Sequence, residues 1–240
     1  MGHLLMAIWQ PLGLTPLPWL AVTITAYAFG QMIQRLCKGA PLANPVLIAI
    51  LAVSALLEAT GTPYARYFAG AQFIQFLLGP ATVALAVPLA QNLNHVRRSF
   101  PEVGLALLAG SLTSALSGVA VVAWLGGGRV VALSMAPKAV TTPIALSLSQ
   151  EIGGVPALTA ALAIAGGIIA AIVGQTMLRW LRVDDWRAHG LAAGVAGSGV
   201  AAAQVAPLSG LAAAFAALGI GLNGLLTAAL VPLVAMLWPA

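Results

Sequence analysis

Charge is nearly absent from long stretches of this chain, and where it occurs it marks the gaps between apolar runs. Lys and Arg number 10 and Asp and Glu 5 in 240 residues, or 6% charged against 61% hydrophobic. Water-soluble domains carry roughly 25% charged residues. So few charges cannot cover the surface of a soluble particle of this size, which excludes a soluble enzyme, a nucleic-acid-binding domain and a disordered chain. The net charge of +5 does not restore a nucleic-acid reading, because the basic residues are scattered through short gaps and form no patch that could track phosphates. The chain reads as an all-α integral membrane protein whose first partner is the lipid bilayer.

A bilayer-crossing helix needs about 20 apolar residues. The gaps divide the chain into hydrophobic segments at 18–35, 44–60, 68–93, 102–125, 129–150, 155–182, 189–206 and 209–238, a polytopic bundle of about seven or eight segments in a single transmembrane domain, 1–240. Trp19, Trp124, Trp180 and Trp238 fall at segment ends and Trp186 in a gap, as expected of rings that prefer the headgroup level. The runs are continuous and rich in Ala, Leu and Gly, without the alternation that a transmembrane β-barrel requires. The one Cys, Cys37, excludes a disulfide framework and a cysteine-rich metal site. Residues 1–20 lack a basic leading region and contain three prolines, so they do not read as a cleaved signal.

Small residues recur one turn apart in Gly110-Ser114-Gly118, Gly166-Ala170-Gly174 and Gly190-Gly194-Ser198. Each set lies on one helix face and lets backbones approach. Packing inside the bundle is the preferred reading; a homo-oligomeric, dimer-forming face is the alternative. The basic clusters Arg35/Lys38, Arg97/Arg98 and Arg179/Arg182/Arg187 stay on one side of the membrane if segment 129–150 enters and leaves on the same side as a re-entrant hairpin. An undetected extra crossing would also satisfy them.

Two segments are interrupted alike. One contains Gly79-Pro80-Ala81-Thr82-Val83 with Pro88 following, the other Pro137-Lys138-Ala139-Val140-Thr141-Thr142-Pro143. Proline inside a helix frees a carbonyl, and within a bilayer that is tolerated where the backbone is buried in protein or lines a wet cavity. Paired interruptions in the two halves point to a transporter's central site and to an inverted repeat with halves 18–125 and 129–238. Two ordinary proline kinks are the plainer alternative.

Lys138 is the only Lys or Arg in the middle of a hydrophobic segment. An ionisable group there is costly and marks function by default; the competing reading is that it snorkels to the interface. Thr141, Thr142 and Thr82 can donate hydrogen bonds to an oxyanion, and a half-helix beginning after Pro137 or Pro143 would offer free N–H groups; Pro80, of the other interruption, is a further candidate site residue. Together these form a cradle sized for a carboxylate. Ser198, Asn223 and Gly79 are candidates for gating or supporting roles. The five acids and His3, His95 and His189 lie at segment ends or in gaps, so a fixed carboxylate proton relay is not expected. Neither is an enzyme: no His-Glu-x-x-His occurs, the only paired Asp residues are adjacent, and Pro137 intervenes between Ser134 and Lys138. No metal or other cofactor is expected.

Three runs carry a resemblance: Phe76-Leu77-Leu78-Gly79-Pro80-Ala81-Thr82-Val83-Ala84-Leu85-Ala86-Val87-Pro88-Leu89, Ala136-Pro137-Lys138-Ala139-Val140-Thr141-Thr142-Pro143-Ile144-Ala145, and Ile152-Gly153-Gly154-Val155-Pro156-Ala157-Leu158-Thr159-Ala160. Through these, and through Asn44-Pro45 and Gly190-Leu191-Ala192, the chain resembles the LrgB/CidB family of bacterial membrane proteins. The resemblance implies one of two functions. One is transport of a small organic anion of the glycolate, glycerate, lactate or pyruvate class. The other is antiholin-like control of a partner's pore, of murein hydrolase export and of lysis. It also implies a bacterial inner membrane and a small membrane partner of the LrgA/CidA type. The chain departs from the family downstream. Where relatives carry a His-Gly/Ala-x-Gly-Thr-Ala-Arg stretch and then a Glu, this sequence has Ser198-Gly199-Val200-Ala201-Ala202-Ala203-Gln204 and Ala212. A different coupling mode or substrate, or a regulatory role, follows from that departure.

Overall fold

The computed structural model describes residues 17–37, 40, 43–77, 80, 83–84 and 86–237. The chain divides into two compact units, Met1–Ala84 and Leu85–Ala240.

The first unit contains α1 (Leu17–Leu36), α2 (Pro45–Thr60) and α3 (Tyr64–Phe76). The start of α2 is written into the sequence. Asn44 accepts from the N–H groups of Val46 and Leu47 at 2.9 and 3.2 Å, and Pro45 occupies a first-turn position where its missing N–H costs nothing. Gly61 ends the helix at φ 61°, a left-handed conformation suited to glycine. Helices α1 and α2 meet at Gly30, where a Cβ would lie 2.7 Å from the Pro45 carbonyl oxygen.

Trp19 corrects a sequence expectation. It is 1% exposed and stands edge-on to Tyr67 at a centroid distance of 6.1 Å, so it is a core residue of this unit rather than a headgroup anchor. Its place at a segment end did not reveal that α3 packs over it. Trp124 and Trp180, by contrast, are exposed at helix ends, as the sequence suggested.

The second unit contains α4 (Ala86–Gln91), α5 (Leu93–Arg98), α6 (Phe100–Trp124), α7 (Arg129–Met135), α8 (Thr142–Glu151), α9 (Pro156–Trp180), α10 (Trp186–Val205) and α11 (Gly210–Leu237). Three of these are long and apolar enough to cross a membrane: α6, α9 and α11, of 25, 25 and 28 residues and mean hydropathy 1.9, 2.2 and 2.0. At 1.5 Å per residue, 25 residues reach about 37 Å, more than the roughly 30 Å of a hydrocarbon core. The segments read at 102–125, 155–182 and 209–238 correspond to these spans. Segment 44–60 is the shorter α2, and segment 189–206 falls in α10, which is interrupted at Ser198 (φ 48°, ψ −137°).

Small residues set the packing of this unit. A Cβ at Gly190 or Gly194 would run into the carbonyl oxygen of Ala212 or Ala216, so α10 and α11 touch backbone to backbone. At Gly197 it would meet Ala170 at 2.8 Å, which fixes the α9–α10 crossing. Of the set Gly190-Gly194-Ser198, the two glycines are therefore committed within the fold, while Ser198 stands at the interruption of α10. Gly166 and Gly174 face open space. The core beneath α7 and α8 is built from Val119, Ala132, Ala136, Leu148, Val231 and Val234.

Candidate functional site

The segment read as 129–150 is a helix, a break and a second helix. Helix α7 ends at Met135, residues 136–140 are turn and bend, Thr141 is extended, and α8 begins at Thr142. Pro143 in the first turn of α8 explains the restart, since a ring there removes only an N–H that would be unpaired anyway.

The segment also doubles back on itself. The hydroxyl of Thr159, on α9, lies 2.9 Å from the Ser134 carbonyl oxygen and 2.7 Å from the Ser149 hydroxyl. A continuous helix would separate residues 134 and 149 by about 22 Å. Ser134 Oγ accepts from the Val155 N–H at 2.8 Å and donates to the Val130 carbonyl at 2.7 Å. All three hydroxyl residues are fully buried. Nothing in the sequence points to this clamp: isolated Ser and Thr in apolar helices carry no visible signal of their partners.

Lys138 lies in the break, half-buried. Its Nζ donates to the Ser114 carbonyl at 2.6 Å and lies 3.4 Å from the Ser114 hydroxyl. Ser114 is near the middle of α6, a candidate span, so the ammonium is held at mid-length of that helix and not at either end. Gly118 makes room for it: a Cβ there would lie 2.6 Å from Nζ. Among the described residues no carboxylate comes within ion-pairing reach of Lys138, and the ion pair found is Arg187–Asp185, at the start of α10. Lys138 and Ser134 have separate partners, so they do not form a nucleophile–base pair.

Asn223, on α11, is the polar centre of the unit at 1% exposure. Its Nδ2 donates to the Ala139 carbonyl of the break at 2.9 Å and to the Val195 carbonyl at 3.2 Å. Its Oδ1 accepts from Ser111 of α6 at 2.5 Å and lies 3.5 Å from the Thr227 hydroxyl. Val195 belongs to the last turn of α10 before the interruption at Ser198, whose own hydroxyl is buried without a partner among the described residues.

The structure thus brings Pro137, Lys138, Thr141, Thr142 and Pro143 together in one break and its helix start, with Asn223 bonded to it. Pro137 is buried, Thr141 and Thr142 are half-buried, and Pro143 is exposed. Thr141 stands at the N-cap of α8 without bonding its backbone N–H groups. Pro80 belongs to the first unit and is exposed; Gly79 and Thr82 lie outside the described residues. His189, read as a segment-end residue, is buried in α10 with Nε2 2.7 Å from the Val183 carbonyl oxygen. In the first unit a cavity of about 910 Å³ is lined by such residues as Leu20, Ile24, Tyr27, Val53, Tyr64 and Phe73. None of its lining residues is basic, which does not suit an anion.

The sequence profile of the LrgB-like family matches residues 23–237. The chain belongs to the LrgB-like family. Among LrgB relatives, "Antiholin-like protein LrgB" of Bacillus cereus (strain B4264) is 30% identical over 220 residues, covering 92% of this chain and 96% of the relative. The protein of the same description from Bacillus anthracis (strain CDC 684 / NRRL 3495) matches to the same extent. No solved structure matches the chain. Family membership and the three apolar spans make this a membrane protein.

Proposed function

We propose that this LrgB-family chain is an antiholin-like component of a bacterial inner membrane, acting on the pore of a small LrgA/CidA-like partner and through it on murein hydrolase export and lysis. The observation that carries this reading is its similarity to antiholin-like LrgB proteins over nearly the full length of both chains. The test is to co-express the chain with such a partner in a bacterial host and follow entry of a membrane-impermeant dye. Partner-dependent permeability should fall when the chain is present. Unchanged permeability with both proteins correctly inserted overturns the reading.

One observation favours a second function, transport of a small monocarboxylate. The Lys138 ammonium is held by a neutral carbonyl, so an incoming carboxylate would be the first full negative charge it meets. In this reading the break at 136–141 is the anion site, Lys138 supplies the counter-charge, and Thr141 and Thr142 donate hydrogen bonds. Saturable uptake of labelled glycolate or pyruvate by proteoliposomes of the purified chain, abolished by Lys138→Ala, supports transport. Absence of saturable flux removes it.

A further inference from the structure

Two interruptions of this unit converge on one side chain. The break between α7 and α8 presents the Ala139 carbonyl, and the interrupted α10 presents the Val195 carbonyl from the turn just before Ser198. Each belongs to a stretch where the regular i to i−4 ladder is broken, so each needs a donor from elsewhere. The two hydrogens of the Asn223 amide supply both. Its oxygen is oriented by Ser111, which prevents the amide from turning over and presenting the wrong atom to the two carbonyls.

We infer that Asn223 is a positioning residue that couples the two interruptions, so that the 136–141 break and the Ser198 break loosen together and not separately. A donor shared between two carbonyls cannot be withdrawn from one break without changing the geometry at the other. The amide is buried, so water does not readily replace it. Lys138 is adjacent to Ala139, and the same coupling therefore reaches the charged residue of the break. The coupling needs only these hydrogen bonds and holds whichever function the chain performs.

The test uses the full chain in membranes, with Cys37→Ser removing its one thiol. Single reporters are placed at Thr141→Cys, Ser198→Cys and, as a control in the other unit, the buried Val53→Cys. Alkylation by N-ethylmaleimide is then timed with Asn223 intact and with Asn223→Ala. Losing the shared donor should speed labelling at both 141 and 198 by about tenfold and leave 53 unchanged. Acceleration at one break alone, at neither, or equally at all three positions overturns the coupling. If Asn223→Ala does not accumulate, Ser111→Ala frees the amide to rotate. It should give a smaller joint rise at 141 and 198, and a one-sided or absent rise refutes the inference equally.

Discussion

The Nζ of Lys138 lies 2.6 Å from the Ser114 carbonyl oxygen, so the charge of the break is held by the middle of α6. Gly118, one turn further along the same helix, lets it lie there. Gly118→Ala should push the ammonium off Ser114 and lower stability by about 1.5–3 kcal/mol, the scale of a hydrogen bond to a charged group. In a Lys138→Ala background the same change should cost little, since the atom in its way is gone. Thermal unfolding in detergent across the four proteins of this double-mutant cycle checks the pairing; additive losses would contradict it.

Thr159→Val keeps the shape of a side chain that serves Ser134 and Ser149 at once. Two buried oxygen groups would lose their partner, for a loss of about 2–3 kcal/mol. Because the clamp holds the doubled-back segment closed, limited proteolysis near 136–141 should accelerate more than cleavage of the α9–α10 connection.

Gly194→Ala should be among the most damaging conservative changes in the protein. The added methyl meets the Ala216 backbone, which cannot move aside without parting α10 from α11, at about 3 kcal/mol or more. Gly166→Ala and Gly174→Ala meet nothing within 4 Å among the described residues. They should be neutral or stabilise α9 by about 0.5–1 kcal/mol through helix propensity. Unfolding midpoints of the three variants make the comparison; strong destabilisation at 166 or 174 would mean that this face is covered.

Asp185 caps α10 by accepting from the Arg187 N–H at 2.8 Å and pairs with the Arg187 guanidinium, which also donates to Ser99 at the start of α6. Hydrogen bonding from Arg187, opposed in part by slight burial, holds the Asp185 carboxyl below the ordinary carboxylate range. A lowered native value means the stabilisation is complete above the unfolded carboxyl's pKa of about 4 and is lost as pH falls through the native value. The pair is exposed, so its contribution is small and screened by salt. Asp185→Asn should flatten the acid limb of a plot of stability against pH and leave the neutral plateau nearly unchanged.

The helical membrane class was legible because nothing else tolerates so few charges, and the break at 136–141 because two prolines bracket it. The interruption at Ser198 was not visible in the same way, since no proline marks it. It sits between Gly197 and Gly199, in an apolar, small-residue run that reads as an ordinary span. Lys138 could be singled out from sequence, but its partner could not. Ser114 stood out only as a small residue on a packing face, and the group it offers is its main-chain oxygen, which sequence does not distinguish. His189 does lie at a segment end, in the first turn of α10, but its burial, like that of Trp19, was not legible: nearness to a segment end says nothing about which helix packs over the side chain. Thr159 and Ser149 gave no warning, because a hydroxyl on a helix satisfies itself as easily on its own backbone as on a neighbour.

An ammonium bound to the middle of a helix long and apolar enough to cross a bilayer would also feel voltage. One elementary charge carried across the full membrane field involves about 2.3 kcal/mol per 100 mV. Any excursion that lifts Lys138 from Ser114 toward either face takes up a fraction of that electrical work, so the energised state of the cell would bias which way the residue leans.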